Sequence, residues 1–89
     1  MNNQIFEKTE IEQNEFDDEV IILNSKTGEF HSINEIGNEV IKKINGKNTV
    51  QDIINKIAKK YEQEEKIVEK DVQSFIKDLI KRKIIKLKK

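Results

Sequence analysis

Few residues in this sequence have side chains suited to bond-making chemistry. There is one histidine, His31, no cysteine, and three serines, Ser25, Ser32 and Ser74. Without thiols there is no disulfide framework, no thiol nucleophile and no cysteine-ligated metal or cluster. A lone imidazole also falls short of the usual two-histidine metal sites. None of the serines lies in a nucleophile-elbow context. His31 sits in a short β-rich stretch, where a single histidine reads as a surface or edge residue rather than a base. The carboxylates are spread through charged runs, not set in apolar pockets that would shift their pKa values. No glycine-rich phosphate loop is present. The expectation is therefore no catalytic residue, no metal, no cofactor and no enzymatic activity. What remains is the chemistry of binding, carried by strands, apolar faces and charge.

Charge is unevenly placed. The 89 residues hold 17 bases and 17 acids. Residues 1–40 carry ten acids, Glu7 through Glu39, against only Lys8 and Lys26, a net of −8. Residues 41–89 carry fifteen bases and seven acids, a net of +8. Halves of opposite sign either attract one another across the fold or touch a charged partner. A chain of 10.5 kDa that is 35% hydrophobic and 38% charged builds one thin core. One domain spanning residues 1–89 is expected, with residues 1–14 as a first strand or N-terminal arm. The longest apolar run, Val20-Ile21-Ile22-Leu23, is far short of the ~20 residues that span a bilayer. The start, MNNQIFEKTE, lacks the basic and apolar regions of a signal peptide. A cytoplasmic protein without membrane contact is expected.

Periodicity divides the chain into a β third and a helical remainder. Val20 to Leu23 is a β-branched run, and Glu29-Phe30-His31-Ser32-Ile33 reads as a second strand. The connection Asn24-Ser25-Lys26-Thr27-Gly28 suits a hairpin, with Asn24 and Gly28 tolerant of positive φ. Ile5 to Ile11 alternates and is the expected first strand. From Asn34, an N-cap residue, the period becomes 3.6, with Ile36, Val40, Ile41 and Ile44 on one face and Gly46 closing the helix. Thr49 and Asp52 resemble a capping box ahead of the stripe Val50, Ile53, Ile54, Ile57, Ala58 and Tyr61. A third stripe comprises Val68, Val72, Phe75, Ile76, Leu79 and Ile80. Ile84 to Leu87 either extends the third helix or forms a short strand. The fold class is α+β, winged helix-turn-helix-like, with a three-stranded antiparallel sheet followed by three α-helices.

Such an architecture admits a DNA-binding reading. Seven bases and one acid between Lys77 and Lys89 favour it. However, the start of the third helix, where base contacts would form, carries Glu64, Glu65, Glu69 and Asp71. Net charge is zero rather than basic, and no nucleic-acid partner is expected.

The junction of strand and first helix is more specific. Gly28-Glu29-Phe30-His31-Ser32-Ile33-Asn34-Glu35-Ile36-Gly37 resembles the PqqD-like pattern Gly-x-aromatic-aromatic-x-Leu-Asn-x-x-Gly/Ala. His31 replaces the second aromatic and Ile33 the leucine. Gly46-Lys47-Asn48-Thr49-Val50-Gln51-Asp52-Ile53 is similar to the start of that family's second helix, and Val68 to Ile84 to its third. The resemblance covers roughly residues 15–87. It implies a recognition element for ribosomally made, post-translationally modified peptides, a chaperone that holds the leader of a precursor peptide and presents it to a modifying enzyme such as a radical-SAM maturase or a leader peptidase. In that family the leader adds as a strand to the edge of the third strand, with the third helix as the facing wall.

Strand addition needs a free edge for main-chain hydrogen bonds and side-chain pockets for register. Glu29, Phe30, His31 and Ser32 are the expected edge. On a helical wheel Val68, Val72, Phe75 and Leu79 share a narrow arc, and Ile76 and Ile80 widen the stripe beyond the ~100° that a core-facing helix needs. Ile76 and Ile80, bordered by Gln73 and Lys83, are therefore the expected peptide-binding wall. A winged-helix DNA-binding protein and a small protein–protein interaction subunit are the alternatives.

Overall fold

The computed structural model describes residues 1–16 and 19–88. Strands β1 (Phe6–Lys8), β2 (Ile11–Phe16), β3 (Glu19–Asn24) and β4 (Phe30–Ile33) precede helices α1 (Glu35–Lys43), α2 (Val50–Tyr61) and α3 (Glu65–Lys81), and β5 (Ile85–Leu87) follows. The order β2-β3-β4 makes a three-stranded antiparallel sheet, and β1 pairs with β5 in a separate two-stranded ribbon.

The meander and three helices match the expected class, but its first strand is not the alternating segment from Ile5 to Ile11. That segment contributes β1, which runs antiparallel to β5 with Phe6 opposite Leu87. The strand beside β3 is Ile11–Phe16, with Glu12 opposite Leu23 and Asn14 opposite Ile21. Its sequence, IEQNEF, has little apolar signal. It is held by the main-chain ladder, and by Gln13 Nε2, which donates to Oδ1 of the buried Asn38 on α1 at 2.9 Å. Of Ile84 to Leu87, Ile85–Leu87 resolves as strand because Lys83 adopts φ +60 just beyond α3, reversing the chain so that Ile84 and Ile85 are both buried.

The core is built of β-branched side chains. Val20, Ile22 and Ile33 of the sheet meet Val40 and Ile41 of α1, Ile53, Ile54 and Ile57 of α2, and Val68, Val72, Ile76 and Leu79 of α3. Asn34 caps α1 by accepting the Gly37 N–H at 2.7 Å. Gly46, two residues beyond the last-turn cap Ile44, takes φ +76. Thr49 and Asp52 form the reciprocal capping box of α2, and the Thr49 backbone N–H holds the Asp52 carboxyl below its usual range. Ile36 departs from expectation. It lies at the margin of the α1 stripe, whose centre falls on Gly37, Val40 and Ile41, and is 48% exposed.

One ion triad ties α1 to α2. Glu39 accepts from Lys43 Nζ at 2.8 Å and Lys60 Nζ at 2.7 Å. These bonds, Lys43 first, lower its pKa from 4.5 to about 2. A carboxylate depressed in the folded state stabilises the fold above its unfolded pKa, and loses that contribution as pH falls through its folded value. The stability advantage of the native chain over Glu39→Gln is therefore full above pH 5 and declines between about pH 4.5 and 2. Urea denaturation of both proteins across this range measures it, and a pH-independent difference would contradict the triad.

Candidate functional site

The backbone of β4 defines the site. Val20 lies opposite Ile33, Ile21 opposite Ser32, Ile22 opposite His31 and Leu23 opposite Phe30. The Asn24 N–H donates to the Glu29 carbonyl at 2.9 Å, which fixes the alternation of the antiparallel ladder. His31 and Ile33 therefore turn their main-chain groups toward β3. Phe30 and Ser32 turn theirs outward, to an edge with no strand partner among the described residues. Side chains alternate perpendicular to this direction. His31 and Ile33 point toward the helices, whereas Phe30, 70% exposed, shares the outer sheet face with Ser32, Ile21 and Leu23.

Helix α3 runs beside β4. Near the start of α1, a Cβ added to Gly37 would lie 2.4 Å from the Phe75 ring and 2.7 Å from Ile33 Cγ2. Glycine is needed there because the ring rests directly on the α1 backbone next to the end of β4. Toward the hairpin, Arg82 Nη1 donates to His31 Nδ1 at 3.2 Å, and Arg82 Nε meets Asp78 Oδ2 at 3.0 Å. With Nδ1 accepting, the His31 proton sits on Nε2, which is buried without a hydrogen-bond partner and lies 3.6 Å from a Glu29 carboxylate oxygen. The wall facing β4 thus grades from apolar at Phe75 to polar at Asp78 and Arg82.

The expected residues are only partly gathered here. Glu29, Phe30, His31 and Ser32 all lie on β4 or its approach, but only Phe30 and Ser32 offer main-chain groups to the edge. Ile76 is wholly buried, so it belongs to the core and is closed to a peptide; an aspartate there would report on folding. Gln73 lies on the opposite flank of α3, where its Nε2 donates to Asn2 Oδ1 at 2.7 Å. Asn2 Nδ2 in turn reaches Glu69 and Gln51. Ile80, seven residues after Gln73, shares that flank and is 40% exposed. Lys83 lies beyond the helix, its carbonyl engaged by Thr9 Oγ1 at 2.7 Å and Asn24 Nδ2 at 3.2 Å. The stripe of α3 is indeed wider than a core needs, but the spare flank toward β4 is that of Phe75, Asp78 and Arg82. The chain's one arginine meeting its one histidine was a signal open to sequence reading.

Asn24 sets the distance between hairpin and helix. It is 2% exposed, and of the two hairpin residues tolerant of positive φ it is Gly28 that adopts it, at +74. Its Oδ1 accepts from the Lys26 and Thr27 N–H groups at 3.0 and 3.3 Å, while Nδ2 donates to the Lys83 carbonyl.

Three antiparallel strands, three helices and a strand edge facing the last helix define a winged-helix-type α+β domain. The sequence model for coenzyme PQQ synthesis protein D (PqqD) matches residues 19–85, and the chain belongs to that family. No curated protein matches it. Among solved structures it is similar to "TbiB1 in Complex with the TbiA(beta) Leader Peptide", with a TM-score of 0.81 and 20% sequence identity, covering 90% of this chain and 94% of that one. At that identity the likeness speaks for the fold.

Asn24→Ala would leave the Lys26 and Thr27 N–H groups and part of the Lys83 carbonyl without partners. It should destabilise the protein by about 2 kcal/mol. Asn24→Asp, which keeps the acceptor but loses the donor, should fall between the two in chemical denaturation. Equal stability of all three would remove Asn24 from this role.

Proposed function

We propose that this protein is a leader-peptide-binding chaperone. It captures an extended segment of a ribosomally made precursor peptide by strand addition at β4 and delivers it to a modifying enzyme, a radical-SAM maturase or a leader peptidase. The observation that carries the proposal is the pair of outward main-chain sites on Phe30 and Ser32 beside the Phe75–Arg82 flank of α3. Main-chain pairing supplies affinity, and side chains reaching the helix supply register. The contrast between the two sheet edges supports the choice of β4. On β2 the edge carries Glu12 and Glu15, and charge is a common means of keeping strands from pairing with other chains. From Phe30 to Ile33 the β4 edge has no lysine, carboxylate or proline. Family membership and the fold of a protein captured with a leader peptide agree with this reading. Glu29 and His31 then act through their side chains at the polar end, and neither a cofactor nor nucleic acid is required.

Proline at Ser32 removes an N–H that β3 does not use, and sheet edges tolerate such prolines. Random peptides displayed on phage should yield binders to the native chain, and a labelled synthetic copy of an enriched peptide should lose at least about tenfold in affinity for Ser32→Pro, with the circular dichroism spectrum unchanged. Failure to enrich any peptide, or equal affinity for both proteins, would overturn strand addition. Tight, salt-steep binding of duplex DNA would favour the winged-helix alternative.

A further inference from the structure

Beyond the end of β4 the Phe75 ring is shared by two surfaces. One side of it abuts Ile33 and Gly37. The ring also faces a cleft of about 180 Å³ between α1 and α3, walled with it by Ile36, Gly37, Val40 and Val72, with the exposed Asn34 and Asp71 at its mouth. The cleft continues, narrowing to about 20 Å³, past Ile36 and Val72 to Tyr61 and Gln63 near the end of α2. Three details set it apart from ordinary surface. Ile36 is 48% exposed on a helix whose other large aliphatic residues are buried. The Tyr61 hydroxyl at the far end is buried without a hydrogen-bond partner. Asp71 lines both parts and forms no ion pair among the described residues.

We propose that this α1–α3 cleft is a second subsite for the bound precursor peptide, taking one large apolar side chain against Ile36 and Phe75, with a basic residue of the peptide beside Asp71. The inference rests on the strand-addition reading, because the occupant is the continuation of the paired segment. The cleft is lined by Asn34, the residue that follows β4, so it lies next to the Ile33 end of the edge where a paired segment would continue. The chemistry of the lining is complementary to such a segment. Aliphatic and aromatic walls exclude charged groups, and the carboxylate at the mouth places a cation within reach of the same stretch of peptide. Affinity then has two independent sources, main-chain pairing at Phe30 and Ser32 and apolar burial at Ile36, and the second selects among peptides where the first does not. Buried anchors of this kind carry a disproportionate share of binding energy.

The labelled display-derived peptide distinguishes the two contributions. Ile36 is half exposed, so Ile36→Asp and the milder Ile36→Ala should both fold, as circular dichroism would verify. Ile36→Asp should weaken binding at least about tenfold and Ile36→Ala less. Replacing the peptide's apolar anchor by alanine should cost affinity for the native chain but little for Ile36→Ala, the non-additivity expected of groups in contact. Asp71→Asn should weaken only peptides that carry a basic residue, and only at low salt. If Ser32→Pro abolishes binding while Ile36→Asp does not change it, the cleft is not a subsite and strand addition stands. If neither variant matters, or no peptide is enriched, both fail. If the native chain forms a concentration-dependent dimer that Ile36→Asp disrupts, the cleft holds a second copy instead.

Discussion

A single buried amide governs how strand and helix face one another. Asn24 ends β3, and its four polar groups are all committed. Its N–H donates to Glu29, its carbonyl accepts from Gly28 at 2.8 Å, its Oδ1 closes the turn through Lys26 and Thr27, and its Nδ2 reaches the carbonyl of Lys83. Apolar packing holds elements together without fixing their distances closely, since hydrophobic burial is non-directional. Hydrogen bonds across an interface do fix them, and in a low-dielectric interior the cost of leaving one unmade is high. Lys83 contributes the other half of the junction. Its positive φ costs about 1–2 kcal/mol for a residue with a side chain, and its carbonyl is thereby turned to receive both Asn24 and Thr9. The hairpin, the end of α3 and the β1–β2 connection thus meet at one carbonyl. That meeting ties the end of β3 to the end of α3.

The two flanks of α3 serve different ends. On one, Glu69 and Gln73 bind Asn2, and the N-terminal arm is further fastened by the Val50 N–H donating to the Gln4 carbonyl and the Gln51 N–H to the Asn2 carbonyl. That flank is satisfied from within the chain. On the other, Arg82 bonds both Asp78 and His31, but the outward main-chain groups of Phe30 and Ser32 on β4 have no strand partner among the described residues. Exposed ion pairs add little stability, so the Arg82–Asp78 pair is better understood as orienting the guanidinium toward His31 than as holding the fold together.

Local signals were legible where local chemistry decides. Asn34 and Thr49 cap their helices as their side chains allow, and Gly28 takes the left-handed conformation that a tight turn demands. The α2 stripe reads correctly because a helix packed on one side needs only its period. Non-local choices were not legible. The polar sequence of β2 becomes a strand because β3 presents a ladder to it, and the weakly alternating segment before it is drawn off to β5. A helical wheel shows that α3 has more apolar surface than the core consumes, but it cannot say which border faces a strand. That is decided by Asn2 on one side and Asn24 on the other, contacts spanning 71 and 59 residues of sequence. The wheel alone therefore does not separate Ile76, which is wholly buried in the core, from Phe75, which is only partly buried against it.

A binding surface made of main-chain groups has a particular relation to sequence. Every residue but proline supplies the same N–H and C=O, so the β4 edge keeps its pairing capacity through almost any substitution at Phe30 or Ser32 that preserves extended backbone. What must be retained is the geometry around it, namely a buried amide at Asn24, a residue without Cβ at Gly37, and a cap at Asn34. Such a demand is compatible with a fold shared at 20% identity. Selectivity has to come from side chains, and the structure offers two places that can vary without disturbing the edge. These are the Asp78–Arg82 end and the rim of the α1–α3 cleft at Ile36 and Asp71, whose side chains lie outside the buried core. On the proposed strand-addition reading, separating the pairing surface from the residues that discriminate would let one scaffold accept different peptides through surface changes alone, while the hydrogen bonds that hold strand to helix stay fixed.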